Sequence, residues 1–303
     1  MTLFNRGTLP DAFGDRVERL RGDRTTPDFE RLLGGRSFDA AVDFAAFDEA
    51  DGRRAAEVLG GRVGHYVVVS TGQVYLVREG CPRPARESDY DGPVLAEPAD
   101  PYDRGQWEYG VKKRALEDAL VAAWERVRFP STRLRIPMVN SERDHFRRLE
   151  RYLWRMLDGG PVLLPGGGES PTRHVYSGSV VKAILTMLGR ADTHGQAYNL
   201  TQDETPTLGE LLTLTAERLG APPRLVGVPV EAVRAAGLDP LLVSPFSGTW
   251  MSSLDPSRAK SELGFRHEPL PSYLDRIVTT FLAHPPADPP PGYEHRRAER
   301  ALA

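Results

Sequence analysis

An α/β protein built on an open parallel sheet is the fold class this sequence predicts, and three observations predict it. Short apolar, β-branched runs alternate with helical stretches through the first half. The strongest strand, His65 to Ser70, runs straight into a hydroxyl-rich turn, Ser70-Thr71-Gly72. The second half mixes short strands with helices after a change of character near Pro137. With 303 residues there is room for one large domain or two modest ones, each with a core.

The elements follow in order. Thr2-Leu3-Phe4 reads as a strand ending in Asn5-Arg6-Gly7, and Phe29 to Leu33 as a short helix closed by Gly34-Gly35. Ala41-Val42-Asp43-Phe44 is a strand, and Glu49 to Leu59 a helix closed by Gly60-Gly61. After the His65 strand, a run from Glu79 to Gly105 rich in Pro, Asp and Glu forms a loop long enough to be a lid or binding loop. A helix from about Gln106 to Arg126 and a strand at Thr132 to Ile136 complete the first half.

Farther on, Asp144 to Leu157 is amphipathic, Pro161 to Leu164 a strand, Gly166-Gly167-Gly168 a surface turn and Gly178 to Leu188 a helix. Ala197 to Leu200 is a strand, Thr207 to Leu219 a helix stopped by Gly220, and Pro271 to Leu282 the last helix. Residues 284–303 carry Pro285-Pro286 and Pro289-Pro290-Pro291, and the expectation is an extended, mobile tail.

Composition narrows the function. Apolar residues are 40% and charged residues 27%, as in an ordinary globular protein. Lys+Arg 39 against Asp+Glu 42 leaves a net charge of -3, which argues against a protein that grips a phosphate backbone. The one cysteine, Cys81, cannot form an internal disulfide or a multi-thiolate metal site, and His145 and His174 lack companions at metal spacing, so no metal is expected. No run approaches 18 apolar residues and no secretion signal opens the chain, so the expected location is the cytoplasm, away from membranes.

Tyr109 and Lys113 stand four apart on the helix expected from Gln106, so both side chains share one face. A neighbouring ammonium favours phenolate, and the expectation is a Tyr109 pKa drawn down toward neutral, suited to proton exchange. Ten tyrosines and four lysines in 303 residues would yield about 0.13 such pairs by chance. The second signal is the hydroxyl pair Ser70 and Thr71 at the carboxyl end of a parallel strand, the edge at which open α/β sheets bind ligands.

These segments together resemble the extended branch of the short-chain dehydrogenase/reductase superfamily, the NAD(P)-dependent epimerases and dehydratases. The resemblance rests on Ser70 to Tyr75 with its closing Val-Tyr, on Tyr109 and Lys113, on Leu134-Arg135-Ile136-Pro137-Met138-Val139-Asn140, on Arg173-His174-Val175-Tyr176, on Tyr198-Asn199-Leu200, and on Leu254 to Lys260 with Leu263-Gly264-Phe265. It implies a Rossmann-like doubly wound sheet with a smaller mixed α/β substrate domain. Residues 1–140 would bind the dinucleotide, with returning segments near 173–203 and 250–264. Residues 141–172 and 204–283 would hold the substrate.

The resemblance implies catalytic roles for Thr71, Tyr109 and Lys113. Lys113 would also hold the nicotinamide ribose. Arg6, Asp23, Arg24, Ala45, Ala46, Ser70 and Pro137 would line the rest of the cofactor, NAD or NADP, with Arg6 suited to the extra phosphate of NADP. One feature of the family pattern is not found: no strand, Gly-x-x-Gly-x-x-Gly turn and helix stand near the start, and the first strand matches the family's second. About 25 to 30 residues have no counterpart. The expectation is that an in-frame segment upstream encodes them, and the alternative is a shortened relative that has lost ordinary dinucleotide binding.

The expected function is oxidoreductase, epimerase or dehydratase chemistry on a hydroxyl or carbonyl of a small polar substrate such as a nucleotide sugar, in a homodimer formed through the Tyr109 helix. The rivals are a non-catalytic or RNA-associated member, since Leu3-Phe4-Asn5-Arg6-Gly7 also resembles the chloroplast stem-loop RNA-binding relatives, and a dinucleotide-sensing regulator.

Overall fold

The structure, a computed structural model, describes residues 1–9 and 11–303, and the chain divides into two units. Residues 1–81, 87–135 and 184–198 form the first, and residues 82–86, 136–183 and 199–303 the second. The order begins β1 (Thr2–Asn5), β2 (Glu18–Arg21), α1 (Asp28–Leu33), β3 (Ala41–Asp43), α2 (Glu49–Leu59), β4 (Tyr66–Thr71), α3 (Gln73–Leu76), α4 (Pro101–Val127) and β5 (Ser131–Ile136). It continues with β6 (Met138–Asn140), α5 (Arg148–Leu157), β7 (Val162–Pro165), β8 (His174–Tyr176), α6 (Ser177–Met187), β9 (Ala197–Asn199), α7 (Leu208–Leu219) and β10 (Leu225–Val228). Helices α8 (Val230–Ala235), α9 (Pro240–Val243), α10 (Ser257–Leu263), α11 (Leu270–Ala283) and α12 (Arg296–Ala301) close it.

Parallel ladders join β1 to β2, β3 to β4, β6 to β8 and β10 to β7. The first unit's main sheet runs β3-β4-β5-β9, and β1-β2 stands as a separate pair. Val67 and Val68 of β4 are fully buried, as expected of an inner strand covered on both faces, whereas all three residues of β3 are only half-buried. An ionic tie links the β1-β2 side to the end of β3: Arg24, just past β2, donates to both oxygens of Asp43 at 2.7 and 2.8 Å and to Asp51 of α2 at 3.0 Å.

The core of this unit lies between α1, α2, α4 and the strands, around Phe29, Leu33, Ala55, Leu59, Tyr66, Leu116 and Leu120. Gly52 permits the close crossing of α2 and α4, because a Cβ there would lie 3.0 Å from the Leu116 carbonyl oxygen. Helix α4 starts five residues before the expected Gln106. Asp100 accepts from the amides of Tyr102 and Asp103, and Pro101 takes the first helical position, so the polar loop ends in an N-cap.

His65 sits fully buried just before β4, with Nε2 2.8 Å from Thr132 Oγ1 and Nδ1 accepting from the Gly189 amide at 3.2 Å. Burial pushes its pKa down to about 4, helped by the neighbouring His194. In the unfolded chain the ring protonates near ~6.5, so between there and 4 the unfolded state binds more protons. The contribution is present above about pH 6.5 and is lost as pH falls through that window, by up to about 3 kcal/mol. Urea midpoints measured from pH 7 to 4 should therefore fall, and His65→Gln should flatten that part of the curve. An equally steep curve in the variant would assign the loss to other groups.

In the second unit, Tyr152, Leu153 and Met156 of α5 pack with Leu208, Leu211 and Leu212 of α7 and with Tyr273, Leu274 and Ile277 of α11. Part of the long loop belongs to this unit: residues 82–86 join it, where the Ala85 amide donates to the Ser253 carbonyl and its carbonyl accepts from Asp255, both at 2.8 Å. The expected mobile tail at 284–303 is corrected, because it folds back and ends in α12. The reason is electrostatic: Glu299 is fully buried and receives Arg155 Nε at 2.8 Å, while Arg296 reaches Asp158 at 2.6 Å. Strands β2 and β10 went unexpected because Glu-Arg-Leu-Arg and Leu-Val-Gly-Val offer little alternation, and burial touches one residue of each.

Candidate active site

Strand β4 delivers Thr71 at its carboxyl end, and Gly72 turns the chain directly into α3. Helix α4 then crosses α3 at very short range. At Gly110 a Cβ would stand 2.6 Å from Val77 Cγ1 and 2.9 Å from the Gln73 carbonyl oxygen, so glycine is what the approach requires. A side-chain bond from Gln73 to Gln106 at 2.6 Å fastens the same crossing. The outcome is that the Tyr109 phenol comes under the influence of the Thr71 hydroxyl.

Lys113, one helical turn on, is 4% exposed, and its Nζ donates to the carbonyls of Ala46 at 2.8 Å and Val69 at 2.9 Å. An ammonium has three N–H donors, so one remains for a ligand. The three residues expected to act together are thus assembled by β4 and one face of α4.

Electrostatics departs from expectation at Tyr109. Its pKa is raised, because burial penalises the phenolate more than the Thr71 hydroxyl favours it. Burial and the Thr71 hydroxyl set it, and the expected downward pull of Lys113 is not seen. Burial also brings Lys113 down to about 8, opposed first by the charge of Glu117 and then by that of Asp43. At neutral pH α4 therefore presents a protonated phenol and, one helical turn farther on, an ammonium, both groups that donate.

The other residues expected at the cofactor are engaged within the first unit or lie apart. Ser70 turns away from Thr71 and donates to Glu117 Oε1 at 2.5 Å. Arg24 is held by Asp43 and Asp51. The amides of Ala45 and Ala46 donate to Asp43 Oδ1 at 2.9 and 2.8 Å, and Tyr66 donates to Asp43 Oδ2 at 2.6 Å. Burial alone would lift the Asp43 carboxyl, but Arg24 and these donors hold it below the ordinary range.

Asp23 closes a turn on the Thr25 amide at 2.9 Å and hydroxyl at 2.7 Å, and Arg6 is largely exposed, 4.0 Å from Asp23. Pro137 is buried between β5 and β6, within the second unit. Among the described residues, no group of three or more His, Cys, Asp or Glu side chains is arranged to hold a metal ion, and no helix is long and apolar enough to cross a membrane.

Sequence reasoning missed the buried partners beneath the site. Glu117 receives Arg135 Nη2 at 2.6 Å, and Arg135 Nη1 donates to the Tyr75 hydroxyl at 2.6 Å. The available signal was spacing, since Tyr109, Lys113 and Glu117 recur every four residues. The N-termini of α2 and α4 carry acidic caps, Asp48 and Asp100, whose side chains already take helix amides. The turn at Gly166 to Gly168 has left-handed backbone throughout and follows β7 in the second unit, with Gly166 and Gly167 exposed and Gly168 buried against Leu164.

A profile of the NAD dependent epimerase/dehydratase family matches residues 33–201, more than half of the chain. A curated relative, 2'-dehydrokanamycin reductase of Streptomyces kanamyceticus, is 26% identical over 237 residues, or 76% of this chain. The chain spans 63% of that relative's length. Among solved structures, dTDP-glucose 4,6-dehydratase of Bacillus anthracis in complex with NAD superposes with a TM-score of 0.71 at 16% identity, over 93% of this chain and 88% of that one. DesIV, a dTDP-glucose 4,6-dehydratase of Streptomyces venezuelae with NAD bound, gives 0.70 at 18% identity, over 93% and 87%. MoeE5 in complex with UDP-glucose and NAD gives 0.68 at 19%, over 93% and 90%. At these identities the likenesses establish the fold, a Rossmann-like α/β arrangement with parallel sheets.

Proposed function

The chain belongs to the NAD dependent epimerase/dehydratase family, and from that premise we propose that it is an NAD(P)-dependent oxidoreductase, epimerase or dehydratase acting on a hydroxyl or carbonyl of a sugar, with a nucleotide sugar as the leading substrate class. The observation that carries this is the pairing of Thr71 with Tyr109 and the position of Lys113 one turn farther along α4. In this reading Thr71 orients the reacting oxygen, Tyr109 passes a proton to it, and Lys113 uses its remaining N–H on the nicotinamide ribose. The dinucleotide, when bound, supplies the hydride.

The residues suit the reacting end of that group better than its diphosphate end. The described helices α2 and α4 begin with carboxylates, which repel a diphosphate, and Arg24 has its charge spent on Asp43 and Asp51.

The state of the site favours delivering a proton over taking one. A buried, protonated phenol supports the carbonyl-reducing direction, in keeping with a relative named as a reductase. The first unit would hold the dinucleotide and the second the sugar. Either NAD or NADP is compatible, Arg6 being exposed at the end of β1. The homodimer of this reading would use α2 and α4, whose groove of about 570 Å³ is lined by alanines such as Ala56, Ala119 and Ala122 together with the charged Arg53, Glu57 and Arg126, and sedimentation would detect it.

The test is direct. The purified chain is mixed with NADH or NADPH and a panel of keto-sugars, free and nucleotide-linked, and the nicotinamide absorbance is followed. Time-dependent oxidation of the nicotinamide is expected with at least one substrate. Dinucleotide binding without turnover across the panel would favour a sensor over an enzyme.

A further inference from the structure

The face of α4 that carries Tyr109 and Lys113 continues to Glu117, a carboxylate with no solvent exposure. Its oxygens are filled by two elements of the sheet. Ser70, next to Thr71 on β4, donates to Oε1 at 2.5 Å, and Arg135 of β5 donates to Oε2 through Nη2 at 2.6 Å and Nε at 3.0 Å. Arg135 is held in turn by the Tyr75 hydroxyl and lies over the rings of Tyr75 and Tyr90. One carboxylate thus pins α4 to the end of β4 at the point where Thr71 must meet Tyr109.

The same carboxylate lies one helical turn from Lys113. Two of the three Lys113 donors go to neutral carbonyls, so the charge of this buried ammonium needs a counter-charge. The charged groups acting on it are Glu117 from its own helix, Asp43 from β3, Asp51 from α2, and Arg24 from the segment after β2. Arg24 binds both aspartates and offsets them, and Arg135 offsets part of Glu117 in the same way. Glu117, one turn away on the same helix, is still the foremost negative charge acting on Lys113.

We infer that Glu117 is the positioning residue of this site, holding the Thr71 strand end against α4 through Ser70 and keeping Lys113 an ammonium in a buried setting. The chemical consequence rests on the function proposed above, but the test needs no turnover. The chain has four lysines, so protein labelled with carbon-13 at lysine Cε yields four signals, and Lys113→Arg identifies the one of interest.

In the unaltered protein that signal should titrate near 8. Glu117→Gln, which keeps an acceptor for Ser70 and removes the charge, should move the midpoint down by at least one pH unit, a tenfold change in the protonation equilibrium. Ser70→Ala, which keeps the charge and cuts the tie, should leave the midpoint in place. Glu117→Gln leaves Arg135 buried without its partner, so where that variant unfolds, Glu117→Gln with Arg135→Met removes both charges and should still lower the midpoint, by a smaller amount. A midpoint that stays put in the folded variant overturns the inference, even with catalysis by Tyr109 intact. Inactivity of the unaltered protein with the expected shift would instead count against the proposed function alone.

Discussion

Tyr109→Phe is expected to lower turnover in nicotinamide-coupled carbonyl reduction by about 10²- to 10⁴-fold, the range that a positioned proton donor contributes. The substitution deletes one oxygen and keeps the ring, which lies 5.8 Å from Phe47, so the packing of α4 over α3 should survive. Loss of the phenol oxygen should cost little stability, and the circular dichroism spectrum and melting curve of the variant will show whether the fold is kept. A folded variant with unchanged turnover would remove Tyr109 from the reaction.

The pH dependence carries the same logic. Because Lys113 titrates near 8 and Tyr109 above its ordinary value, the reducing direction should be fastest below pH 8 and decline as the ammonium is lost.

Glu299→Ala is expected to be among the most destabilising single changes in the second unit, by about 3 to 5 kcal/mol in urea unfolding, because it strands Arg155 in the core. Both side chains have no exposure, and Arg296 adds a bond to Glu299 at 2.9 Å. The companion measurement separates charge from packing. Arg155→Met with Glu299→Leu fills the space without charges and should recover most of the loss, since a buried pair often contributes little beyond an apolar pair of similar volume. A Glu299→Ala effect below about 1 kcal/mol would mean that α12 does not dock in solution.

Much of the scaffold was legible because its signals are local. β-branched runs marked β4 and β5, and Thr207 with Glu210 forms a reciprocal capping box that starts α7 where the pattern placed it. The proline-rich end misled because prolines report only where a helix must stop. They say nothing of Glu299, eight residues after Pro291, which finds a buried arginine. Ser70 misled for a related reason. Strand alternation turns its side chain to the face opposite that of Thr71, and what waits on that face is Glu117 from a helix 47 residues away.

What the sequence determined by itself was the parallel α/β class, the hydroxyls at the end of β4, and the common face of Tyr109 and Lys113, all consequences of periodicities of two and of 3.6 residues. Tertiary structure alone decided the direction of the Tyr109 pKa, the commitment of Arg24 and Ser70 to internal partners, and the docking of α12. Burial and charge pairing are set by segments far apart in the chain, and near-neighbour spacing carries no information about them.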